Sequence, residues 1–417
     1  MLELFPDSAT ITDGQLAVGG VRAADLADRF GTPLLVYCRQ TLLARARAYG
    51  AVDPEALVVY GTKAFANVAV LCLFAAEGLG ADVSTLGELE FARRASVPPD
   101  RIVFHGNNKS DEELEAAARA GALVVLDAPD EADRAAAAGV RDVLLRLTPG
   151  VEARTHESIK TAHAGSKFGL DPDQALVVLA AARRKLNPIG VHVHIGSQLE
   201  RVDESLDAVD RLVDFCRRCR HDLEWTPQLI DLGGGLGIRH SRDEQAPAPE
   251  DFARALVTHL RSRWEEPARI VLEPGRSLVG PAGVTLYRIG ATKRSGGVDY
   301  AAIDGGMSDN PRPQLYGARY EALLANRVDE RPAKGVRIAG KHCESGDVLI
   351  ETAALPEPRR GDVLAVPATG AYTLAMSSNY NGVPRPAVVL VGEGEARLIR
   401  RRETVDDLLA HETGGAD

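Results

Sequence analysis

Short apolar runs alternate with longer helical stretches between residues 57 and 276. Each run is rich in β-branched residues, ends in a polar or Gly-rich turn, and precedes a stretch rich in Ala, Leu and Arg. Eight segments follow this pattern: LVVYGTK (57–63), LGADVST (79–85), IVFHGN (102–107), ALVVLD (122–127), VLLRLTP (143–149), VHVHIGS (191–197), LIDLGGG (229–235) and IVLEPGR (270–276). Continuous apolar strands that alternate with helices predict a parallel sheet buried on both faces.

Eight such units in about 220 residues fit a closed (β/α)8 TIM barrel, which we place at residues 30–280. An open doubly wound sheet is the alternative. That fold usually carries a Gly-rich nucleotide-binding turn after its first strand, and GTKAF (61–65) is not such a turn.

The pattern changes after residue 281, where long helical stretches disappear. Short runs bounded by Gly and Pro predict an all-β domain. These runs are VTLYRIGATK, DYAAIDGG, GVRIAGKHC, DVLIETAAL, DVLAVPATG and PAVVLVG. The segment ATITDGQLAVGG (9–20) looks like a hairpin, so we assign residues 1–29 and 281–417 to one β domain. The polar loop 239–250 is expected to be the most mobile segment.

Composition and charge indicate which kinds of partner and which cellular compartment to expect. The formal net charge of −10 argues against nucleic acid, because phosphate backbones require a basic footprint. Five cysteines are few and odd in number, which favours a reducing, cytoplasmic compartment. The N-terminus lacks the features of a signal peptide. No apolar stretch approaches the roughly 20 residues that span a bilayer, so no membrane partner is expected.

Polar residues gather where the predicted barrel strands end, which is where TIM barrels place catalysis. Strand ends are polar in many proteins, and that is the alternative explanation for the whole set. The residues concerned are Lys63, Ser84, His105, Asn107, His194, Ser197, Gly233, Gly234, Gly235, Glu273 and Arg276.

Several of these residues suggest a cofactor. Lys63 follows an apolar strand, and partial desolvation would lower the pKa of its amine and suit it to Schiff-base formation. The loop DLGGGLG (231–237) would let backbone N–H groups approach a phosphate, and Ser197 and the Gly of EPGR could complete the cradle. Its spacing is not G-x-G-x-x-G, so a Rossmann site is excluded.

Glu273 follows the last strand of the predicted barrel. A carboxylate there could keep a pyridine nitrogen protonated, which is how proteins tune pyridoxal phosphate. His194 could stack on the same ring, or it could be a structural histidine bonded to a neighbouring carbonyl. No metal ligand set is predicted.

Motifs along nearly the whole chain then make a family recognisable. The sequence resembles the fold-type III pyridoxal-phosphate-dependent decarboxylases, and within them the branch that acts on diaminopimelate. The motifs are GTKAF (61–65), HGNNKSDEEL (105–114), TPGVEARTHESIKT (148–161), SKFGL (166–170), HVHIGSQ (192–198), DLGGGLGI (231–238), EPGRSLVG (273–280), DNPRPQLYGARY (309–320), GKHCESGDVL (340–349) and GAYTLAMSSNYNGVPRP (370–386).

The resemblance implies an alanine racemase-like barrel with a β domain and pyridoxal 5'-phosphate as cofactor. It implies Lys63 as the Schiff-base lysine and Cys343 as proton donor, with His194 also in the catalytic set. The implied cofactor contacts are Lys63, His194, Ser197, Gly233, Gly234, Gly235, Glu273, Pro274, Gly275, Arg276 and Tyr372. The implied substrate contacts are Arg276, Arg312, Tyr316, Glu344 and Tyr372.

The implied reaction converts meso-2,6-diaminopimelate to L-lysine and carbon dioxide, the last step of lysine biosynthesis. Its chemistry agrees with the residues, because Arg276 and Arg312 offer planar forks for a distal carboxylate and Glu344 offers a charge for the distal ammonium. A decarboxylase for ornithine or arginine would need acidic recognition only. The resemblance also implies a homodimer with shared active sites, in which Cys343 and Glu344 reach the other chain's Lys63.

Three alternatives remain open. The first is a decarboxylase of the same fold that acts on D-lysine, D-ornithine or a carboxylated polyamine precursor. The second is an amino acid racemase, which would not need the CESGD and PRPQLY motifs. The third is a non-catalytic cofactor carrier. The pair Cys216 and Cys219 lies on a predicted helix without a second pair, so we interpret it as incidental rather than as a zinc or redox motif.

Overall fold

The computed structural model describes residues 2–148, 150 and 166–414. Most of the motif at 148–161 lies outside these residues. The chain forms two compact units, a barrel unit of Leu43–Ile238 and Gln245–Leu278 and a β-rich unit of Met1–Leu42, Arg239–Glu244 and Val279–Asp417. Within the described ranges, no helix combines the length and apolar character needed to cross a membrane.

The described strands are numbered in chain order. They are β1 (Thr10–Thr12), β2 (Gln15–Val18), β3 (Val21–Arg22), β4 (Leu34–Cys38), β5 (Leu57–Gly61), β6 (Gly80–Val83), β7 (Ile102–Phe104), β8 (Leu123–Leu126), β9 (Asp142–Leu147), β10 (Asn187–Val193), β11 (Leu229–Asp231), β12 (Arg269–Leu272), β13 (Gly283–Ser295), β14 (Val298–Ile303), β15 (Leu323–Leu324), β16 (Lys334–Ala339), β17 (Val348–Leu355), β18 (Val363–Pro367), β19 (Ala387–Gly392) and β20 (Glu395–Arg400).

The described α-helices are numbered in the same way. They are α1 (Ala23–Phe30), α2 (Arg39–Gly50), α3 (Val68–Ala76), α4 (Leu86–Arg94), α5 (Asp111–Ala120), α6 (Glu131–Ala137), α7 (Pro172–Ala182), α8 (Asp203–Leu223), α9 (Pro249–Arg263), α10 (Arg276–Val279), α11 (Arg312–Tyr316) and α12 (Val405–Leu409).

Strands β5 to β12 form a closed parallel barrel, so the predicted TIM barrel is confirmed. The barrel closes where β12 pairs with β5, with Val271 opposite Leu57. One layer of the interior is apolar and consists of Leu57, Val59, Val103, Val125, Leu144, Leu229 and Val271. Because side chains two positions apart share a face of a strand, the next inward positions towards the carboxyl ends form a second layer. That layer carries the polar groups described below.

The helices around the barrel have local signals at their ends. Ser110 caps α5 through a capping box with Glu113, and Gly121 ends the same helix in the left-handed conformation, which costs glycine no steric penalty. Asn67 caps α3 by accepting from two backbone N–H groups. These caps fix the residues at which the two helices begin.

The β-rich unit contains the six predicted strands as β13, β14 and β16 to β19, so the predicted β domain is confirmed as a fold. Its largest sheet follows the order β17-β16-β14-β13-β4-β19-β20, and the N-terminal segment adds a separate three-stranded sheet. β4 lies inside the predicted barrel range of 30–280, yet it pairs with β13 and β19. A continuous apolar strand such as LLVYC is compatible with the centre of either sheet.

The segment 239–244 is part of the β-rich unit. It comes from the polar loop that we expected to be the most mobile. Two of its side chains, His240 and Ser241, are buried, and Arg242 bonds Glu321 through both its backbone and its guanidinium. Polarity alone did not reveal these contacts, because hydrogen-bonding partners for the loop lie far away in sequence.

Candidate active site

A buried carboxylate, Glu273, forms the centre of the polar layer in the barrel. It follows β12, and its two oxygens contact different histidines. Oε1 lies 2.7 Å from Nε2 of His105, and Oε2 lies 3.2 Å from Nε2 of His192. The two imidazole rings pack edge to face with centroids 4.7 Å apart. The carboxylate of Glu273 is therefore fixed from two sides.

Burial and neighbouring groups set the charges in this cluster. Burial lowers the pKa of His192 to about 4, although Glu273 opposes that shift, so this ring is neutral near pH 7. Burial also raises the pKa of Glu273, but the charge and hydrogen bonds of His105 and His192 outweigh it and hold this pKa well below its usual range. Burial and then the charge of Glu273 raise the pKa of Asp231. The two carboxyl groups of the cluster therefore have pKa values shifted in opposite directions, that of Glu273 downwards and that of Asp231 upwards.

The same four residues could also be considered as metal ligands. The ligand atoms of His105, His192, Asp231 and Glu273 lie within 4.8 Å of one another. However, both histidines already use Nε2 to bond Glu273. A metal ion here would have to displace these bonds, and the absence of a metal stays a prediction.

Lys63 lies two residues beyond β5, in a short helical turn that follows the strand. Its Nζ lies 2.7 Å from Oδ2 of Asp82, which is itself buried. The Lys63 side chain is 46% exposed, and the partial desolvation expected for its ammonium stays a prediction. The turn carries the side chain past the apolar end of the strand, and the pairing with Asp82 favours the charged form of the amine.

The glycine loop after β11 is required sterically. A Cβ on Gly234 would overlap the carbonyl oxygen of Glu273, and one on Gly233 would overlap that of Val193. Gly233 and Gly235 also have positive φ angles of 65° and 108°, which L side chains rarely adopt. The loop therefore brings backbone N–H groups closer to the strand ends than any other residue type would allow.

The neighbouring strand ends hold this loop in place. The N–H of Gly234 donates to Nδ1 of His194 at 3.2 Å, which assigns the ring proton to Nε2. Burial first, then the charges of Lys63 and Arg146, lower the pKa of His194 well below its usual value. His194 is thus neutral, and its Nδ1 accepts from a backbone N–H.

The turn at 273–276 joins the loop to the first barrel strand. The carbonyl of Pro274 accepts from the N–H of Gly61 at 3.1 Å, and the N–H of Glu273 donates to Gly233 at 2.8 Å. Nη2 of Arg276 donates to Oγ of Ser197 at 2.9 Å. The barrel therefore brings together all its predicted cofactor residues at the carboxyl ends of β5, β10, β11 and β12.

These features fit pyridoxal phosphate. An ionised carboxylate in a buried site matches a protonated pyridine nitrogen, and a loop of three glycines, which has no side chains to cover its backbone, suits a phosphate. A primary amine lies at the same end of the barrel, on Lys63. The chemistry of this donor set is that of the cofactor rather than of a nucleotide.

The β-rich unit carries four of the five predicted substrate residues, since Arg276 belongs to the barrel unit. Arg312 begins α11 and is buried, and its Nη1 donates to Oη of Tyr320 and to Nε2 of His240. Tyr316 ends the same helix, and its hydroxyl contacts Sδ of Met376 at 3.9 Å. Between them, Nε2 of Gln314 donates to the carbonyls of Gly346 and Val348. Helix α11 is thus bonded to the segment between β16 and β17, which carries Cys343 and Glu344.

Cys343 and Glu344 lie on the turn between β16 and β17, and both are exposed. The backbone of this turn is nevertheless fixed. The N–H of Cys343 donates to Oδ1 of Asn381 at 2.9 Å. The buried carboxylate of Asp347 accepts from the N–H of His342 at 3.0 Å and from its Nδ1 at 2.7 Å.

Tyr372 lies after β18 with a φ of +57°, which is strained for a residue with a large side chain. The turn is enforced nearby, since a Cβ on Gly370 would overlap the carbonyl of Val279. Strain of about 1–2 kcal/mol persists only where the surroundings impose it, and it concentrates at functional sites. This conformation agrees with a role for Tyr372.

Three residues of the barrel layer were missed as site residues: Asp82, His192 and Asp231. A fourth, His105, was noted only as a polar strand end. A signal for them exists in the sequence. Asp231 and His105 lie two positions after Leu229 and Val103 of the apolar layer, and Asp82 and His192 lie two positions after the strand glycines Gly80 and Gly190. A polar residue at that position within an apolar strand is the feature that could have identified them.

The cysteine pair in α8 packs as an ordinary helix face. Cys216 and Cys219 are both buried and free. Burial raises the pKa of the Cys216 thiol far above its usual value and that of Cys219 to about 12. Protonated, buried thiols are poor nucleophiles and poor metal ligands, which agrees with the interpretation of this pair as incidental.

Comparison with known proteins identifies the class first. Residues 39–280 match the family model described as "Pyridoxal-dependent decarboxylase, pyridoxal binding domain". These residues include the whole barrel and its carboxyl-end site. The barrel is therefore that of a pyridoxal-dependent decarboxylase.

Relatives and solved structures then narrow the family. The chain is 43% identical to the diaminopimelate decarboxylase of Bacillus subtilis, over 95% of this chain and 94% of that protein. It is 44% identical to that of Actinosynnema pretiosum, over 98% and 95%. The crystal structure of diaminopimelate decarboxylase from M. jannaschii with L-lysine covers 98% of both chains, with 34% identity and a TM-score of 0.92. The chain belongs to the diaminopimelate decarboxylase family, which is a family of lyases.

Proposed function

We propose that this protein decarboxylates meso-2,6-diaminopimelate to L-lysine and carbon dioxide with pyridoxal 5'-phosphate, as the last step of lysine biosynthesis. The observation that carries the proposal is the buried Glu273 carboxylate held by His105 and His192 beside a glycine cradle. The names of the relatives supply the substrate.

Residues at the carboxyl ends of the barrel strands would hold the cofactor. Its phosphate fits the backbone of Gly233–Gly235, with Ser197 and the turn of Pro274, Gly275 and Arg276 beside it. Lys63 would hold it covalently through Nζ, and His194 would lie against its ring. When bound, this cofactor supplies an electron sink for the bond that breaks.

Glu273 keeps the required charge in place. Because both of its oxygens are bonded to histidines, the carboxylate cannot rotate away, and its negative charge lies in a buried site where charge interactions are strong. Asp82 performs a related role for Lys63, since its carboxylate holds Nζ at 2.7 Å at the end of the strand.

Substrate recognition needs groups for a distal carboxylate and a distal ammonium. Arg312 and Arg276 are buried guanidiniums that can bind a carboxylate with two hydrogen bonds. Glu344 supplies the opposite charge for the ammonium. Tyr316 and Tyr372 would add contacts along the substrate chain. An enzyme for ornithine or arginine gains nothing from a guanidinium at the distal end.

The reaction removes one carboxylate as carbon dioxide and places a proton on the same carbon. We assign the proton to the thiol of Cys343, which then regains one from solvent. Its backbone is held by Asn381, so the thiol is attached to a fixed turn although it is exposed in the single chain.

A product assay tests the proposal. Purified protein with pyridoxal phosphate and meso-diaminopimelate should release carbon dioxide and L-lysine in equal amounts. D-lysine, D-ornithine and L-ornithine, tested beside it, should react far more slowly. Cofactor binding without turnover of meso-diaminopimelate would refute the assignment and leave the fold unaffected. Amino acid inversion without carbon dioxide would identify a racemase instead.

We also propose a cytoplasmic homodimer with shared active sites. The exposure of Cys343 and Glu344 in one chain supports sharing, because a proton donor must be covered from water to act selectively. The five free cysteines support a reducing compartment. Mixed chains of Lys63→Ala and Cys343→Ala should recover activity through hybrid sites. No recovery after verified subunit exchange would contradict shared sites.

A further inference from the structure

An unusual hydrogen bond holds Arg312. Its Nη1 lies 2.8 Å from Nε2 of His240 and 2.5 Å from Oη of Tyr320, and all three side chains are buried. A guanidinium has donors only, so Nε2 of His240 must be the acceptor. The imidazole is therefore neutral and carries its proton on Nδ1.

Glu244 fixes that tautomer from the other side of the ring. Its Oε2 lies 3.4 Å from Nδ1 of His240 and accepts from the backbone N–H of the same residue at 2.7 Å. Burial raises the pKa of Glu244, but the hydrogen bonds and charge of His240 outweigh it and keep the pKa below its usual value. An ionised acceptor next to Nδ1 is what the neutral ring with Nε2 unprotonated requires.

Arg312 keeps binding capacity after these contacts. Its Nε is buried and has no hydrogen-bond partner among the residues that the structure describes. An orphaned buried donor of a guanidinium is costly, and an anionic ligand would satisfy it.

We infer that His240, oriented by Glu244, is a positioning residue that fixes the guanidinium of Arg312 for the distal carboxylate of the substrate. The inference rests on the proposed function and deepens it by naming a specificity element outside the motifs discussed above. His240 acts through Arg312 and is not a catalytic residue.

The surroundings of His240 define its pH response. Arg312, Tyr320 and Glu244 are the charged or titratable groups that face the ring. The same loop also carries exposed pairs that join it to the rest of the β-rich unit: Arg239 with Glu3, Arg242 with Glu321, and Asp243 with Arg319. A proton on Nε2 would remove the acceptor and place a second positive charge beside Arg312. Acidic pH should therefore weaken carboxylate binding.

Two substitutions of His240 distinguish the role of its hydrogen-bond acceptor from that of the imidazole ring. His240→Leu removes the acceptor, whereas His240→Gln keeps an amide oxygen near the position of Nε2 and cannot ionise. For the holoenzyme, we expect His240→Leu to raise the KM for meso-diaminopimelate about tenfold with kcat within about threefold, because the lost interaction serves binding. His240→Gln should stay within about threefold of wild type, and its KM should lack the rise that we expect of wild type at acidic pH.

A binding measurement separates this inference from the proposed function. L-lysine retains the distal carboxylate and cadaverine lacks it, so calorimetric titration of both ligands isolates that group. His240→Leu should weaken L-lysine by about tenfold and leave cadaverine unchanged. Equal losses for both ligands, or equal behaviour of the Leu and Gln variants, would overturn the inference. If His240→Leu does not fold, Glu244→Gln should give a smaller selective loss for L-lysine, and no selective loss would overturn it.

Absence of turnover in wild type with normal selectivity for L-lysine over cadaverine would refute the proposed function alone. In that case the calorimetric comparison of the His240 variants still decides the inference.

Discussion

The barrel and the β-rich unit build their candidate residues in opposite ways. In the barrel, Glu273 is buried and both its oxygens are bonded to histidines. In the β-rich unit, Cys343 and Glu344 are exposed, and their turn is held mainly through its backbone. A single chain thus supplies the hydrogen-bond partners of the Glu273 carboxylate, whereas the Cys343 thiol is exposed to solvent.

The difference follows from topology. Parallel strands end together, so inward positions of neighbouring strands form one layer and their side chains meet. A turn between antiparallel strands projects from a sheet instead, and its side chains meet no such layer. The buried layer favours fixed charges, and the turn favours groups that contact something arriving from outside. This contrast predicts how substitutions and pH changes should affect each unit.

Lys63→Ala should cause the largest loss. Without the amine, activity should fall at least about a thousandfold, because the residue that would hold the cofactor covalently is gone. Decarboxylation rates and the absorbance of protein-bound cofactor measure it. Lys185→Ala is the matched control, since Lys185 only pairs with Asp133 on the surface. Activity above a tenth of wild type in Lys63→Ala would move the chemistry away from the barrel.

Glu273→Gln tests the fixed charge. It removes the carboxylate while keeping the size of the side chain, so kcat should fall about a hundredfold with a smaller change in KM. Steady-state kinetics measure this effect. Glu115→Gln on the exposed face of α5 should leave kcat unchanged. If both variants behave alike, the buried pair of histidines serves stability only.

The two units should respond to pH with opposite signs. Burial raises the pKa of Asp309, in the β-rich unit, to about 7, so the folded unit holds a proton that the unfolded chain releases above about pH 4. Stability there falls as pH rises from about 4 to about 7. Burial lowers the pKa of His192, in the barrel, to about 4, so the unfolded chain takes up a proton first as pH falls. Barrel stability falls as pH drops from about 6.5 to about 4.

Hydrogen exchange in β18 and β11 would report each unit separately. Asp309 should contribute roughly 4 kcal/mol and His192 roughly 3 kcal/mol across their ranges, given about 1.4 kcal/mol per pKa unit. Asp309→Asn should remove the loss on raising pH, and His192→Gln should remove the loss on lowering it. Identical pH slopes for wild type and Asp309→Asn would contradict a protonated Asp309.

Asp347→Asn tests the support of the Cys343 turn and should give the smallest effect. Its carboxylate accepts from the N–H of Met307, the N–H of His342 and the ring of His342, and the amide can keep only part of these bonds. We expect a loss of about 2 kcal/mol in stability and about tenfold in kcat. Thermal unfolding and kinetics measure both, with exposed Asp406→Asn as control. Normal turnover in a destabilised variant would show that the turn needs no fixed geometry.

Sequence periodicity predicted the architecture because it depends on local pattern. The eight apolar runs and the strands after residue 281 were recognisable as strands. β4 was assigned to the barrel range, because five apolar residues in a row do not reveal which sheet a strand enters. His240 was placed in a mobile loop for a similar reason, since its partners Arg312 and Tyr320 lie more than 70 residues away.

Sequence patterns alone identified the family and the barrel, because motifs and strand periodicity are local. The steric need for glycine at Gly233–Gly235 comes instead from backbone carbonyls distant in sequence, those of Val193, Gly196 and Glu273. The tertiary structure, in contrast, set the electrostatic environment of the site residues. It paired Lys63 with Asp82, a partner 19 residues away that the pattern of apolar runs does not reveal. It also lowered the pKa of Glu273 and raised that of Asp231. Protonation depends on burial and on distances across the barrel, and only folding sets these quantities.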